Sequence, residues 1–353
     1  MRTVKIGNRE LRVPIIQGGM GVGVSLGNLA GHVAKEGAMG IISSAQIGFK
    51  EKDFDKNVKE ANLRALDKEI KKAKEIAHGK GMVGVNVMVA LSDYAEHIKQ
   101  AVKSGADAII SGAGLPMKLP ELVGNAKTKI APIVSSGKAA NLILRSWDRK
   151  FKRTADFIVI EGWKAGGHLG FKKEEIAEGK CKELLDILPD VKKAIQPYVE
   201  KYNKHIPIFV GGGIYTKEDI EQALEKGADG VQIGTRFIAT HECDADEAYK
   251  QYFVNAREED IMIVQSPVGM PGRAIKTKFM EKVAQAKQPI KKCYRCISSC
   301  NIVDAPYCIT KALIDAVEGR IDDGLVFAGA NGARINKIVS VKELIEELTG
   351  GEK

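Results

Sequence analysis

The 353-residue chain has no apolar run approaching the roughly 20 residues that cross a bilayer. Its opening "MRTVKIGNRELRVPII" lacks the apolar core of a secretory signal, so a cytoplasmic protein with no membrane partner is expected. Aromatic residues are scarce, at 6%, and do not interleave with the basic runs. A stacking surface for nucleic acid is therefore not expected. Six cysteines are too few to make a disulfide scaffold of a chain this long. No G-x-G-x-x-G joins a strand to a helix, which argues against a dedicated dinucleotide domain.

What the chain does have is enough apolar content, 44%, for a full-sized core. Its formal charge of +9 comes mostly from lysines spread over segments such as "KEIKKAKEIAHGK". Such segments read as solvated helix faces, and the surplus favours anionic substrates or an acidic partner protein.

Through the first 240 residues, short β-branched runs alternate with amphipathic stretches. The predicted strands are Val13–Gln17, Met39–Ser43, Met82–Val87, Ala108–Ser111, Ile130–Ser135, Phe157–Glu161, Ile206–Val210 and Gly230–Ile233. Their near-continuous hydrophobicity suits parallel strands covered on both faces. Between them, Leu63, Leu66, Ile70, Ala73 and Ala77 form one helical stripe. "KEGAMGII", "KSGADAII" and "EKGADGVQI" repeat a helix end, a glycine cap and a strand. Thr216 with Asp219 has the form of a helix start. Eight such units predict an α/β fold, a (β/α)8 TIM barrel over residues 1–258, with a doubly wound open sheet as the alternative. Residues 259–353 are expected to form an extension packed on the barrel. Within it, "SPVGMPGRAI" reads as loop and "SVKELIEELTGG" as a capped helix.

In a barrel, residues at the carboxyl ends of the strands face the active site. Glycine-rich segments fall there: "QGGMGVG" at 17–23, "EGWKAGGHLG" at 161–170, "GGGI" at 211–214 and "IGTRF" at 233–237. Glycine lets backbone N–H groups approach an anion closely. The loops after strands seven and eight are the usual phosphate site of this fold. Gly212, Gly213, Gly234 and Thr235 are therefore a candidate phosphate cradle, and Asn86, Glu161 and Gln232 are placed to bond a flat ring or its polyol chain. One phosphate and one ring fit FMN.

"PIIQGGMG", "GVNVM", "EGWKAGGHLG", "GGGI" and "VQIGTRFIAT", in this order, resemble the FMN-dependent nitronate monooxygenase family, to which enoyl-acyl-carrier-protein reductase II is related. The resemblance spans roughly residues 10 to 280. It implies flavin contacts from the main chain around Met20, from Asn86, Glu161, Gly166 and Gly213, and from Gln232, Ile233, Gly234 and Thr235. It implies that His168 is the active-site histidine, acting on a nitronate or an enoyl thioester, and that the protein is a homodimer. A histidine suits proton exchange near neutral pH, or an anion when charged. Glu161 departs from the glutamine of many monooxygenases and resembles the reductases, whereas "QSPVGMPGRAI" resembles the monooxygenases. A barrel like inosine-monophosphate dehydrogenase is excluded, because Cys181 lies too far along its helical pattern to serve as nucleophile.

"CYRCISSCNIVDAPYC" places Cys293, Cys296, Cys300 and Cys308 at a C-x2-C-x3-C-x7-C spacing. Thiolates this close can ligate zinc or an iron–sulfur cluster. The spacing matches no standard zinc ribbon or ferredoxin run, and reduced structural thiols or a redox pair fit equally.

Overall fold

The computed structural model describes residues 2–351. Eight parallel strands close into a barrel: Ile15–Gln17, Met39–Ser43, Met82–Asn86, Ala108–Ser111, Lys129–Val134, Ile158–Glu161, Ile208–Gly211 and Gly230–Ile233. The last strand pairs with the first, Gln232 opposite Ile16, so the sheet has no edge. This is the expected barrel, each predicted strand lying within a residue or two of its place.

Strand residues alternate between two apolar layers. Ile16, Met39, Ile41, Ile110, Phe157, Val159 and Phe209 fill the barrel's interior. Ile42, Val83, Val85, Ile109, Ile130, Ile158, Ile160 and Val210 pack outward against the helices. Near-continuous apolar strands follow from having both faces buried. A hairpin of Val4–Ile6 and Arg9–Leu11 closes the interior at one end, contributing buried Val4, Ile6 and Leu11 to the inner layer.

The glycine caps of the repeats occur as expected, with Gly37, Gly105 and Gly227 at φ of 87°, 79° and 91°. Thr216 and Asp219 form a reciprocal capping box on helix Lys217–Glu225. The final helix, Val341–Thr349, is boxed by Ser340 and Glu343 and ends on left-handed Gly350.

The segment expected to be loop contains a strand. Ile261–Gln265 and Pro271–Ile275 form an antiparallel pair. On its other edge, Pro271–Ile275 takes up Gly167–His168 and, farther along, Val326–Phe327. Glycine and proline density suggested a loop. The strand exists because the sixth-strand loop supplies a partner for its edge, and because Pro271 stands at its first position, where a missing N–H costs little. The small sheet thus ties the extension to the loop that carries His168. No helix among the described residues is long and apolar enough to cross a membrane.

Candidate active site

One cavity of about 240 Å³ opens at the carboxyl ends of the barrel strands. Met20, Asn86, Glu161, Gly166, His168, Gly213, Gln232, Ile233, Gly234 and Thr235 all line it, although they are far apart in sequence. The fold brings the whole predicted set together.

The first-strand loop is stitched in place: the Met20 N–H donates to Ser25 Oγ at 2.8 Å and Ser43 Oγ donates to the Gly21 carbonyl at 2.6 Å. The amide of Met20 is thus already engaged, so a main-chain contact to a ligand from this loop falls to its other groups. Gly19 presses against the third strand, where an added Cβ would stand 2.5 Å from Asn86 Cβ. Asn86 and Glu161 end strands three and six, Gln232 is last but one in strand eight, and none bonds another described side chain or backbone group through its own side chain. Three unpartnered polar groups ring the cavity.

Burial pushes the Glu161 carboxyl up to about 7, since nothing nearby compensates its charge. Burial pulls His168 down to about 4, so the imidazole is neutral at ordinary pH. An anion-holding imidazolium, one of the roles expected of it, is therefore disfavoured by the site itself. His168 Nε2 lies 2.7 Å from Ser266 Oγ, and its ring meets Phe327 edge-on at 5.1 Å.

The phosphate corner is built from backbone. Gly212 and Gly213 have φ of 101° and 99°, and a Cβ on Gly212 would stand 2.7 Å from the Gly162 carbonyl oxygen. Side chains are thereby excluded from this turn. Across it lies a segment that the sequence reasoning missed, Ala328 to Asn331. Gly329 N–H donates to Thr235 Oγ1 at 2.9 Å, Asn331 Nδ2 to the Gly213 carbonyl at 2.7 Å, and Ala330 N–H to the Lys164 carbonyl at 3.0 Å. Phe327, Ala328, Gly329, Ala330 and Asn331 are part of the cavity wall. The signal available was "FAGANG", a fifth glycine-bearing segment directly after an apolar pair.

Beneath the sixth-strand loop lies Arg273, only 4% exposed. Its guanidinium donates to the carbonyls of Trp163 at 2.5 Å and Ala165 at 2.7 Å, and no carboxylate pairs with it among the described residues. Burial pulls it down to about 10, still charged at neutral pH. Lys164, on the same loop, pairs with Glu183 at 2.8 Å.

The cysteines lie in a strap beside the third-strand loop, where Ser92 N–H donates to the Cys296 carbonyl at 3.1 Å and Tyr294 stacks on Phe54 at 5.5 Å. All four are free thiols, and burial pushes Cys296 up to about 11. Among the described residues, no three cysteine, histidine or acidic side chains converge to hold a metal.

The nitronate monooxygenase family profile matches residues 2–351. The chain belongs to the nitronate monooxygenase family. It is an oxidoreductase of that family acting on small molecules. A probable nitronate monooxygenase of Bacillus subtilis is 26% identical, covering 96% of each chain. An octahydro-indene-carboxyl-CoA dehydrogenase of Mycobacterium tuberculosis is 24% identical over 76% of this chain and 65% of its own length. Among solved structures, FabK from Thermotoga maritima superposes with a TM-score of 0.73 at 24% identity, covering 96% of this chain and 92% of FabK. Nitroalkane oxidase from Streptomyces ansochromogenes superposes with a TM-score of 0.71 at 20% identity, covering 96% and 95%. At these identities the two structures share the fold.

Proposed function

We propose that this family member binds FMN in the cavity and oxidises alkyl nitronates with dioxygen to carbonyl compounds and nitrite. The observation that carries this reading is the chemistry of the wall: a glycine corner whose backbone excludes side chains, three polar side chains with no partner among the described residues, and one neutral histidine, all around a single cavity. A phosphate suits the backbone N–H groups around Gly213 and Gly234, with Thr235 beside them. The polar ring edge and polyol chain suit Asn86, Glu161 and Gln232. FMN, when bound, supplies the redox chemistry; the protein supplies position and electrostatics.

His168 orients the substrate. Gly166 and Gly167 bring its loop against the ligand, Phe327 and Ser266 hold its ring, and its neutral imidazole offers the substrate oxygens a hydrogen bond. The wall from Phe327 to Asn331 restricts water at the ring.

A second reading, an FMN-dependent enoyl-acyl-carrier-protein reductase using NAD(P)H, is favoured by Glu161 at the sixth-strand end and by a net charge of +9 that suits an acidic carrier protein. Anaerobic mixing separates the two. Flavin-loaded protein is mixed with NADH, NADPH or an alkyl nitronate, and bleaching of the flavin absorbance is followed. Nitronate alone is expected to bleach it. Rapid bleaching by a nicotinamide cofactor with none by nitronate would overturn the monooxygenase reading, and protein that cannot take up flavin would end both.

A further inference from the structure

His168 has two ring nitrogens, and only one is held by the protein. Nε2 is 2.7 Å from Ser266 Oγ. Nδ1 has no partner among the described residues, and the residue borders the cavity. Which nitrogen carries the proton decides whether the cavity meets a donor or a lone pair.

Ser266 settles this by its own bonding. It is 2% exposed, so water does not compete for its hydroxyl. Its Oγ accepts the N–H of Val268 at 3.3 Å, and its backbone N–H donates to the Met270 carbonyl at 3.1 Å. A hydroxyl has one proton to give, and a buried one left ungiven is costly. No acceptor other than His168 Nε2 lies within its reach among the described residues. With Oγ–H pointed at Nε2, that nitrogen accepts. A neutral imidazole carries a single N–H, which then sits on Nδ1.

We propose that Ser266 is a positioning residue that locks His168 as its Nδ1–H tautomer, so that His168 meets substrate as a hydrogen-bond donor and not as a base. The inference rests on the reading of His168 as the substrate-facing group. A donor at this position recognises an oxygen that already bears charge or partial charge, as in a nitronate or the carbonyl of a thioester. It cannot accept the α-proton of a neutral nitroalkane while its lone pair is directed at Ser266. A nitronate must therefore arrive already deprotonated, and a carbonyl is met as it stands. The lock sits on the hairpin loop of the extension, 98 residues from His168 in sequence.

The test is spectroscopic and needs no substrate. Flavin-loaded protein labelled with 15N-histidine is examined at about pH 7.5, above the ordinary histidine range, and His168 is assigned from its loss in His168→Gln. The expected pattern is a protonated Nδ1 and an accepting Nε2. Ser266→Ala should mix the two tautomers and lower nitronate turnover about two- to fivefold, in step with the Nδ1–H fraction lost. Ser266→Thr, which keeps the hydroxyl, should restore both. A protonated Nε2 in the unmodified protein overturns the proposal, as does an unchanged His168 pattern in a flavin-loaded Ser266→Ala protein. If Ser266→Ala fails to hold flavin, the unmodified spectrum alone decides. Should nitronate prove not to be a substrate, the proposed function fails while the tautomer pattern still stands or falls by itself.

Discussion

At the scale of single residues, the site combines one reactive side chain with positions where a side chain is forbidden. His168 is neutral, held at one nitrogen and without a partner at the other among the described residues, so its removal should cost a transition-state hydrogen bond without emptying the site. His168→Ala is expected to retain flavin while losing about 100- to 1,000-fold in turnover, as for other preorganised donors. Flavin content by absorbance and steady-state turnover check this, and loss of flavin along with activity would mean that the histidine is structural. Gly166 is the complementary case. A Cβ there would stand 2.6 Å from both Ala328 C and Gly329 N, backbone atoms that cannot swing aside. Gly166→Ala should therefore push away the segment ending at Asn331, destabilise the fold by about 1–3 kcal/mol and weaken flavin binding. Denaturant midpoints and flavin titration read the two effects separately, and a variant with unchanged flavin affinity would remove the 328–331 segment from the cofactor wall.

At the scale of elements, much of the barrel was legible in the sequence and the small sheet above it was not. Strands such as Ile158–Glu161 announce themselves because both faces are buried, so every position is apolar until the functional residue at the end. Pro271–Ile275 gives no such sign. Its burial depends on Gly167–His168 and Val326–Phe327, partners separated from it by long stretches of chain, and its central side chain is a charged arginine. The site divides along the same line. Residues at strand ends could be read from position in the barrel. Ser266, Arg273 and Phe327 could not, because their roles come from a sheet that exists only in three dimensions. Arg273 makes the dependence testable. Its two bonds to the Trp163 and Ala165 carbonyls hold the sixth-strand loop down, and truncation removes the donor from both, the Ala165 bond being buried. Arg273→Met is expected to cost about 3 kcal/mol, the range for bonds to a charged donor. It should also increase hydrogen exchange at Gly167 and His168. Unchanged exchange there, with stability lost elsewhere, would show that the arginine supports the extension and not the loop.

At the scale of the whole molecule, the buried titratable groups set how stability depends on pH. His97 and His168 are both pulled down to about 4 by burial, against an ordinary value of 6.5. Below about 6.5 the unfolded chain binds protons that the native histidines refuse, so stability present above that pH is lost as pH falls toward 4. Glu161 works in the opposite direction. Its carboxyl is raised to about 7 from 4.5, so the native state keeps a proton that the unfolded chain has released. Its contribution is present at acid pH and is lost as pH rises from about 4.5 to 7. Between about 4.5 and 6.5 all three act together, and two histidines outweigh one carboxyl. Together these three groups contribute to the cofactor-free protein a loss of about 1.4 kcal/mol per pH unit on acidification across this window, one net proton's worth. Burial also raises Asp93 and Asp244, but their contribution is common to every variant and cancels in the comparison. Glu161→Gln removes the opposing group and should steepen the parent's loss by about 1.4 kcal/mol per unit, whereas His97→Gln should lessen it by the same amount. Urea titrations at three pH values in the window measure each slope. A Glu161→Gln slope equal to the parent's would mean that the carboxyl is ionised through the whole range, and the cavity would then present a fixed negative charge beside any flavin it holds.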